Sequence, residues 1–337
     1  MTSEITLFVN PTAGRGRARE PKGRAGVERP SARRPEGLST VGLSTPAEAP
    51  RRRTSQKWGA HGAQPAASAL RAAGFSVRTV VGRDPDDALA RARAAVAEGT
   101  GALVAVGGDG IAHLALQAVA GTDTPLGLVA VGTGNDFARA LGLPVHDPAR
   151  AGRLIAEGLK GDGVRAIDLG RVGDRWFGTV LASGFDSRVN DRGNRMRWPS
   201  GRFKYDLAMI AELAAFRPFP YRITLDGGEV REIEATLVAV GNGSSYGGGM
   251  RICPGADLTD GLFDITVVGD CSRTTLLRVF PTVYRGRHVD HPKVTVHRAA
   301  RVEIAADGIT GYADGEPLGP LPVSVRCVPG AVRVVGR

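Results

Sequence analysis

The 337-residue sequence holds only three cysteines, Cys253, Cys271 and Cys327, and no CxxC pair. An odd count without paired spacing excludes a disulfide framework or a zinc ribbon and fits a reducing compartment. All three are expected to be small buried apolar residues. Long apolar runs are also lacking. The longest, Ala102 to Val106 and Leu128 to Val131, have strand length, far short of the roughly 18 residues that mark a membrane-spanning helix. The first ten residues, MTSEITLFVN, carry Glu4 and no basic segment before their apolar run, so a signal peptide is not expected. With no heptad, collagen or other internal repeat either, a cytoplasmic globular protein is expected.

What is present is ordinary for such a chain: 42% apolar and 23% charged residues. At about 150 residues per domain the length suggests two domains, here expected as 1–160 and 161–337. The net charge is +10, but residues 15–57 hold twelve Lys/Arg against four Glu, so most of the excess sits in one stretch. Nucleic-acid binding needs the excess on a folded face. This stretch is Pro-rich, and nucleic acid is therefore not an expected partner.

Ile5 to Val9 reads as a buried strand. Residues 20–64 have few large apolar side chains and no persistent period, and are expected to be a disordered insertion. Regular structure is expected to resume near Pro65, with a helix over Ala66 to Ala73 and a strand over Phe75 to Val81. Further helices are expected at Asp86 to Glu98, Ile111 to Val119 and Asn135 to Leu141, with strands at Ala102 to Val106 and Leu126 to Val131. Strands alternating with helices predict an α/β domain, a parallel sheet covered on both faces. From about residue 164 strands dominate, including Trp176 to Ala182 and Val323 to Val328, with helices near Lys204 to Phe216 and Thr274 to Val283. The second half is expected to be a mainly antiparallel β-sandwich or flattened barrel.

Three glycine-rich turns follow successive strands. Asn10-Pro11-Thr12-Ala13-Gly14 follows the first, and glycines there let backbone N–H groups approach an anion. It lacks the GK[ST] of a Walker loop and the third glycine of a dinucleotide fingerprint. Gly107-Gly108-Asp109-Gly110 lies between a strand and a helix, at the carboxyl end where ligands of open α/β sheets bind. An acid beside a phosphate would repel it unless it held Mg²⁺; the competing reading of Asp109 is a helix cap. Gly132-Thr133-Gly134-Asn135-Asp136 repeats the design, with Thr133 a phosphate contact and Asn135 a candidate cap.

NPTAGRG, GGDG and GTGNDFARALG, in this order, resemble the diacylglycerol kinase catalytic domain, and more closely the soluble bacterial lipid kinases that share it with sphingosine and ceramide kinases. Gly184-Phe185-Asp186, the stretch 241–268, Asp314-Gly315-Glu316 and the carboxyl-terminal strand agree. The resemblance implies an ATP- and Mg²⁺-dependent lipid kinase, with diacylglycerol the leading substrate. It implies that Asn10 to Gly14, Thr79, the turn Gly107, Gly108, Asp109, Gly110 and Ile111 through His113, and Gly132, Thr133 and Asn135 bind ATP. Asp109 and Asp136 would order Mg²⁺ and the phosphates, and Glu316 would be the general base. A structural Mg²⁺ would sit at Asp260 with backbone carbonyls of Asp257 and Leu262; the alternative for these acids is a polar turn.

Ile111 stands where the family has Thr, and His113-Leu114 where it has Asn-Glu; His113 is expected on the helix surface. Glu316 is expected in a turn. Arg188, Arg192, Arg195, Arg197, Trp198, Arg202 and Lys204 form a basic cluster suited to an anionic membrane, so peripheral membrane contact is expected. A homodimer is left open, as are a sphingosine- or ceramide-type kinase, an NAD kinase and a catalytically silent binding protein.

Overall fold

The computed structural model describes residues 4–9, 59–184 and 218–336. The Asn10–Gly14 loop, residues 20–58 of the expected insertion, the basic cluster at 188–204 and the expected helix 204–216 lie outside the described residues.

Strands β1 (Glu4–Val9), β2 (Ser76–Val81), β3 (Ala102–Gly107) and β4 (Leu126–Ala130) form a parallel sheet in the order β2-β1-β3-β4. Helices α1 (Gly59–Ala72), α2 (Pro85–Ala97) and α3 (Asp109–Val119) connect them. Alternation along β1 explains the two layers. Ile5, Leu7 and Val9 pack on α1 and on α5 (Pro148–Lys160), whereas Phe8 packs with residues of α2 and α3. Each face of the sheet is thus covered, and β3 and β4 are apolar throughout.

Helix α1 departs from expectation. It begins at Gly59 and carries Pro65 inside it, although an interior proline costs about 3 kcal/mol. The buried positions Gly62, Ala63, Ala66, Ala67 and Leu70 make one helical face. Its small residues allow an approach that larger ones would block: a Cβ on Gly152 of α5 would fall 2.8 Å from the Ala66 Cα. Close packing over this face offsets the proline. Helix α5 was not foreseen, although Asp147-Pro148 is a start signal. The Asp147 carboxylate accepts the Arg150 N–H at 2.9 Å.

The second half is antiparallel. Its strands are β5 (Val164–Val172), β6 (Arg175–Phe177), β7 (Val180–Gly184), β8 (Phe219–Leu225), β9 (Arg231–Gly241), β10 (Phe263–Gly269), β11 (Val294–Ala299), β12 (Arg301–Ala305), β13 (Thr310–Ala313), β14 (Glu316–Pro320) and β15 (Val323–Val335). Helix α6 (Arg273–Val283) stands between β10 and β11. A separate core gathers around Phe177 and Phe263, stacked with centroids 6.0 Å apart. Strand β15 pairs antiparallel with β12 and β5, shifts register between Val328 and Val332, and then meets β4 in parallel at Val334 and Leu126. The two halves therefore share one continuous sheet.

Two corrections bear on the site. The strand expected over Trp176 to Ala182 is broken into β6 and β7, because the Gly178 and Thr179 N–H groups bond to a side chain, Asp314, instead of a ladder. The hairpin β13–β14 was not foreseen, and Glu316 is the first residue of β14, paired with Ala313, rather than a turn residue.

Candidate active site

The turns after β3 and β4 lie back to back at the carboxyl edge of the parallel sheet. A Cβ on Gly132 would stand 2.3 Å from the Gly108 Cα, so glycine is required for the two turns to touch. Asn135 closes the second turn from within. Its Oδ1 accepts the Gly132 N–H at 2.9 Å and its Nδ2 donates to the Gly132 carbonyl at 2.7 Å. The backbone of Asn135 is left-handed (φ 57°) and its side chain makes no cap bond, which corrects the expectation that it caps its helix. Thr133 is exposed at the turn.

Asp109 begins α3 but does not cap it; Gly108 occupies the cap position. The carboxylate instead receives N–H groups at the start of α4 (Asp136–Ala140): Asn135 N–H at 2.7 Å and Phe137 N–H at 3.3 Å. A negative group there also complements the α4 macrodipole. Asp136 is buried. Its Oδ2 accepts the Gly248 N–H at 2.7 Å, and its Oδ1 is buried without a hydrogen-bond partner among the described residues. Burial pushes the Asp136 carboxyl above its usual range; the Gly248 N–H opposes this and the charge of Asp109 adds to it. Both carboxylates border Gly134, where a Cβ would fall 2.6 Å from Asp109 Oδ2 and 3.5 Å from Asp136 Oδ2. Two acids and two glycine turns thus face one place.

Glu316 reaches the same edge from the other half of the chain. Asp314 (φ 52°) and Gly315 (φ 84°) are both left-handed, as a two-residue Asp-Gly hairpin demands. The Asp314 carboxylate turns inward. It accepts the Gly178 N–H (2.9 Å), the Thr179 N–H (2.8 Å) and the Thr179 hydroxyl (2.6 Å). Burial by itself would raise its pKa, but the bond and charge of His113 with the Thr179 and Gly178 bonds outweigh burial and hold it below the usual carboxylate range. So anchored, the hairpin leaves Glu316 exposed, with Oε1 only 3.9 Å from where a Gly110 Cβ would stand.

His113 is not on the helix surface. It is buried, with Nδ1 3.2 Å from Asp314 Oδ2. The reason is that β6 covers this face of α3. One turn on, Gln117 Nε2 donates to the Trp176 carbonyl (2.7 Å) and Gln117 Oε1 accepts the Trp176 N–H (2.9 Å). Ile111 points into the core with Phe8 and Leu103. Gly110 is exposed at the turn. Thr79 is exposed on β2, paired with Leu7 and two strands from β3.

Asp257, Asp260 and Leu262 form a separate turn before β10. Asp257 Oδ1 accepts the Thr259 N–H and hydroxyl at 2.9 and 2.7 Å. Asp260 Oδ1 accepts the Leu262 N–H at 3.0 Å, and its Oδ2 is held by Arg298, which also reaches Asp264 Oδ1 at 3.2 Å. A magnesium ion on Asp260 would have to displace Arg298. No group of three or more His, Cys, Asp or Glu among the described residues is arranged to hold a metal.

Sequence reasoning missed Asp168. This buried acid accepts the Gly330 N–H at 2.8 Å and the Gly261 N–H at 2.7 Å, tying the 257–262 turn to the β15 bulge. It missed the inward role of Asp314 and the contact of Gly248, within the stretch 241–268, with Asp136. The Asp-Gly pair before Glu316 was a hairpin signal. All three cysteines are free and buried, as expected.

Residues 52–172 match the diacylglycerol kinase catalytic domain family, and residues 179–336 match the YegS C-terminal NAD kinase beta sandwich-like domain. A curated diacylglycerol kinase of Mycobacterium tuberculosis is 49% identical over 281 residues, 82% of this chain and 89% of the relative. The diacylglycerol kinase of Bacillus subtilis is 29% identical over 74% of this chain and 82% of its own. The crystal structure of a diacylglycerol kinase from Bacillus anthracis shares the fold, with TM-score 0.66 and 21% identity over 99% of this chain and 97% of that one. Paired glycine turns, facing acids and a hairpin glutamate stand on a fold and sequence common to these proteins, and the chain belongs to the diacylglycerol kinase family.

Proposed function

We infer that the protein is a lipid kinase that moves the γ-phosphoryl group of ATP to the free hydroxyl of diacylglycerol, giving phosphatidic acid and ADP. The observation that carries the reading is the approach of Glu316 to Gly110, which puts a carboxylate from the second half over the glycine turn of the first.

Phosphoryl transfer asks a protein mainly for positioning and charge neutralisation. The turns at Gly107–Gly110 and Gly132–Asn135 expose backbone to the phosphates with no side chain in the way. Asp109 and Asp136 are the residues that would hold the nucleotide's Mg²⁺; the Oδ1 of buried Asp136, unpartnered among the described residues, fits a cation. Bound Mg²⁺ supplies neutralisation of phosphate charge. Glu316 takes the proton of the lipid hydroxyl as that oxygen bonds to phosphorus and the bond to ADP breaks. Asp314 holds the hairpin through three hydrogen bonds from Gly178 and Thr179, so that Glu316 needs little reorganisation. No step passes through the turn at Asp257 and Asp260.

No helix among the described residues is long and apolar enough to cross a membrane. In this reading the lipid is met at a bilayer face, with peripheral attachment to an anionic membrane. The test is incubation of the purified chain with labelled ATP, Mg²⁺ and, in parallel reactions, diacylglycerol in mixed micelles, a sphingoid base in mixed micelles, or NAD⁺. Labelled phosphatidic acid is expected. Label in NAD⁺ or in a sphingoid base, and none in diacylglycerol, would overturn it.

A further inference from the structure

Helix α6 is amphipathic in an unusual sense. Its inner face buries Leu276 and Val283 in a cluster with Ile252 and Cys253, against which Tyr246 and Met250 pack. Its outer face is apolar too. Leu277 is 57% exposed and Tyr284, which follows the helix, is 43% exposed, with exposed Pro281 between them. At i, i+4 and i+7 these three fall within an arc of about 60°. Phe280 sits edge-on to Tyr284, with centroids 6.3 Å apart at 86°.

Cations border this stripe. At 3.6 residues per turn, Arg273 falls on one side and Arg278 on the other, with Arg285 and Arg287 just beyond the helix; all four are exposed. None makes an ion pair among the described residues. No Asp or Glu occurs from Ser272 to Val289. An exposed apolar stripe between arginines is the pattern of a helix that lies in a membrane interface. A second copy of the chain fits poorly, because a twofold contact would set arginines against arginines. A nucleic acid would leave the stripe unburied.

The helix also adjoins the site. The Arg251 N–H donates to the Val283 carbonyl at 3.1 Å, and Gly286 lies against Pro254. Tyr246 and Met250 exchange backbone hydrogen bonds around Gly248, whose N–H holds Asp136. One loop separates the stripe from the acid pair.

We propose that the outer face of α6 docks the protein on an anionic bilayer, with Leu277, Pro281 and Tyr284 entering the interface and Arg273, Arg278, Arg285 and Arg287 meeting lipid phosphates. The proposal rests on the lipid-kinase reading and names the surface that reading leaves open.

Two variants of the full chain test it: Leu277→Ser/Tyr284→Ser and Arg278→Glu/Arg285→Glu. Flotation with phosphatidylcholine vesicles containing phosphatidylglycerol should fall at least about 10-fold for each. Melting temperature should hold, because every changed side chain is exposed. Phosphorylation of diacylglycerol embedded in such vesicles should fall in parallel, while phosphorylation of a dissolved short-chain diacylglycerol should hold. If the serine variant fails to fold, the charge-reversal variant still decides. Vesicle binding equal to wild type in a folded variant overturns the proposal. So does a loss of self-association on sedimentation with vesicle binding unchanged, which would assign the stripe to a second copy. Failure of the lipid-kinase reading looks different: wild type would bind vesicles yet label no diacylglycerol in either form.

Discussion

His113 Nδ1 and Asp314 Oδ2 lie 3.2 Å apart with both side chains buried, and this pair joins the helix that starts at the GGDG turn to the hairpin that carries Glu316. The two residues come from opposite halves of the chain. Their contact links the GGDG turn to Glu316. His113→Ala removes a buried partner of Asp314 and should cost about 1–3 kcal/mol of stability. The kcat should fall roughly 10-fold with KM for ATP nearly unchanged, because displacing the base proposed at Glu316 would cost turnover rather than nucleotide binding. His113→Asn, which keeps a donor, should recover part of the loss. Steady-state kinetics with a melting curve checks this, and an unaltered kcat in the alanine variant would remove His113 from the positioning of Glu316.

Glu316→Gln retains size and polarity but cannot take a proton. A loss of at least about 10²-fold in kcat is expected, with ATP affinity held, since the Glu316 side chain is exposed and supports no hydrogen bond among the described residues. Nucleotide titration beside turnover measurement is the check. A defect seen only in ATP binding would contradict the role.

Asp109→Ala should do more than remove a charge. The carboxylate holds the Asn135 and Phe137 N–H groups, so α4 loses its cap from outside. A cap is worth about 1 kcal/mol. Abolished turnover with a melting temperature lowered by a few degrees is expected. A merely exposed turn residue would leave the melting temperature alone, and that outcome would refute the bracing role.

Asp136→Asn should separate stability from activity. Burial raises the Asp136 carboxyl in the folded chain above its value of 3.8 in the unfolded chain. Between those values the folded state binds more protons, so stability declines as pH rises through the window. At neutral pH the native carboxylate is a burden that asparagine removes. The variant should melt higher than wild type at pH 7 in the absence of nucleotide and metal, by roughly 2 °C. The difference should shrink toward pH 4, and turnover should vanish. Thermal melts across pH test the sign; a variant less stable than wild type at pH 7 would reverse it.

Much of this was legible in the residues themselves. Glycine turns after apolar strands mark the carboxyl edge of a parallel sheet, because only glycine lets backbone reach an anion there. Period-two and period-3.6 patterns are local, and they located β1, β3, β4, α2 and α3 and the strand-rich second half. Asp314-Gly315 also carried a hairpin signal before Glu316, an Asp-Gly pair whose two positions have a positive φ, although that hairpin went unread.

The roles of the acids were decided elsewhere. Asp109 could have capped its own helix; that it braces α4 depends on Gly108 lying against Gly132, a contact between separate turns. Asp136 is buried because Gly248, 112 residues away, closes over it. His113 looked like a surface residue because β6, more than 60 residues on, and Asp314, 201 residues on, are what cover that face of α3. Helix α1 accepts Pro65 because Gly152 of another helix lets it pack closely. Local pattern sets which segments form and where their turns fall, since those depend on neighbouring residues. Which polar atom is buried, paired or left facing the substrate depends on contacts between distant segments, and those exist only once the two halves share one sheet.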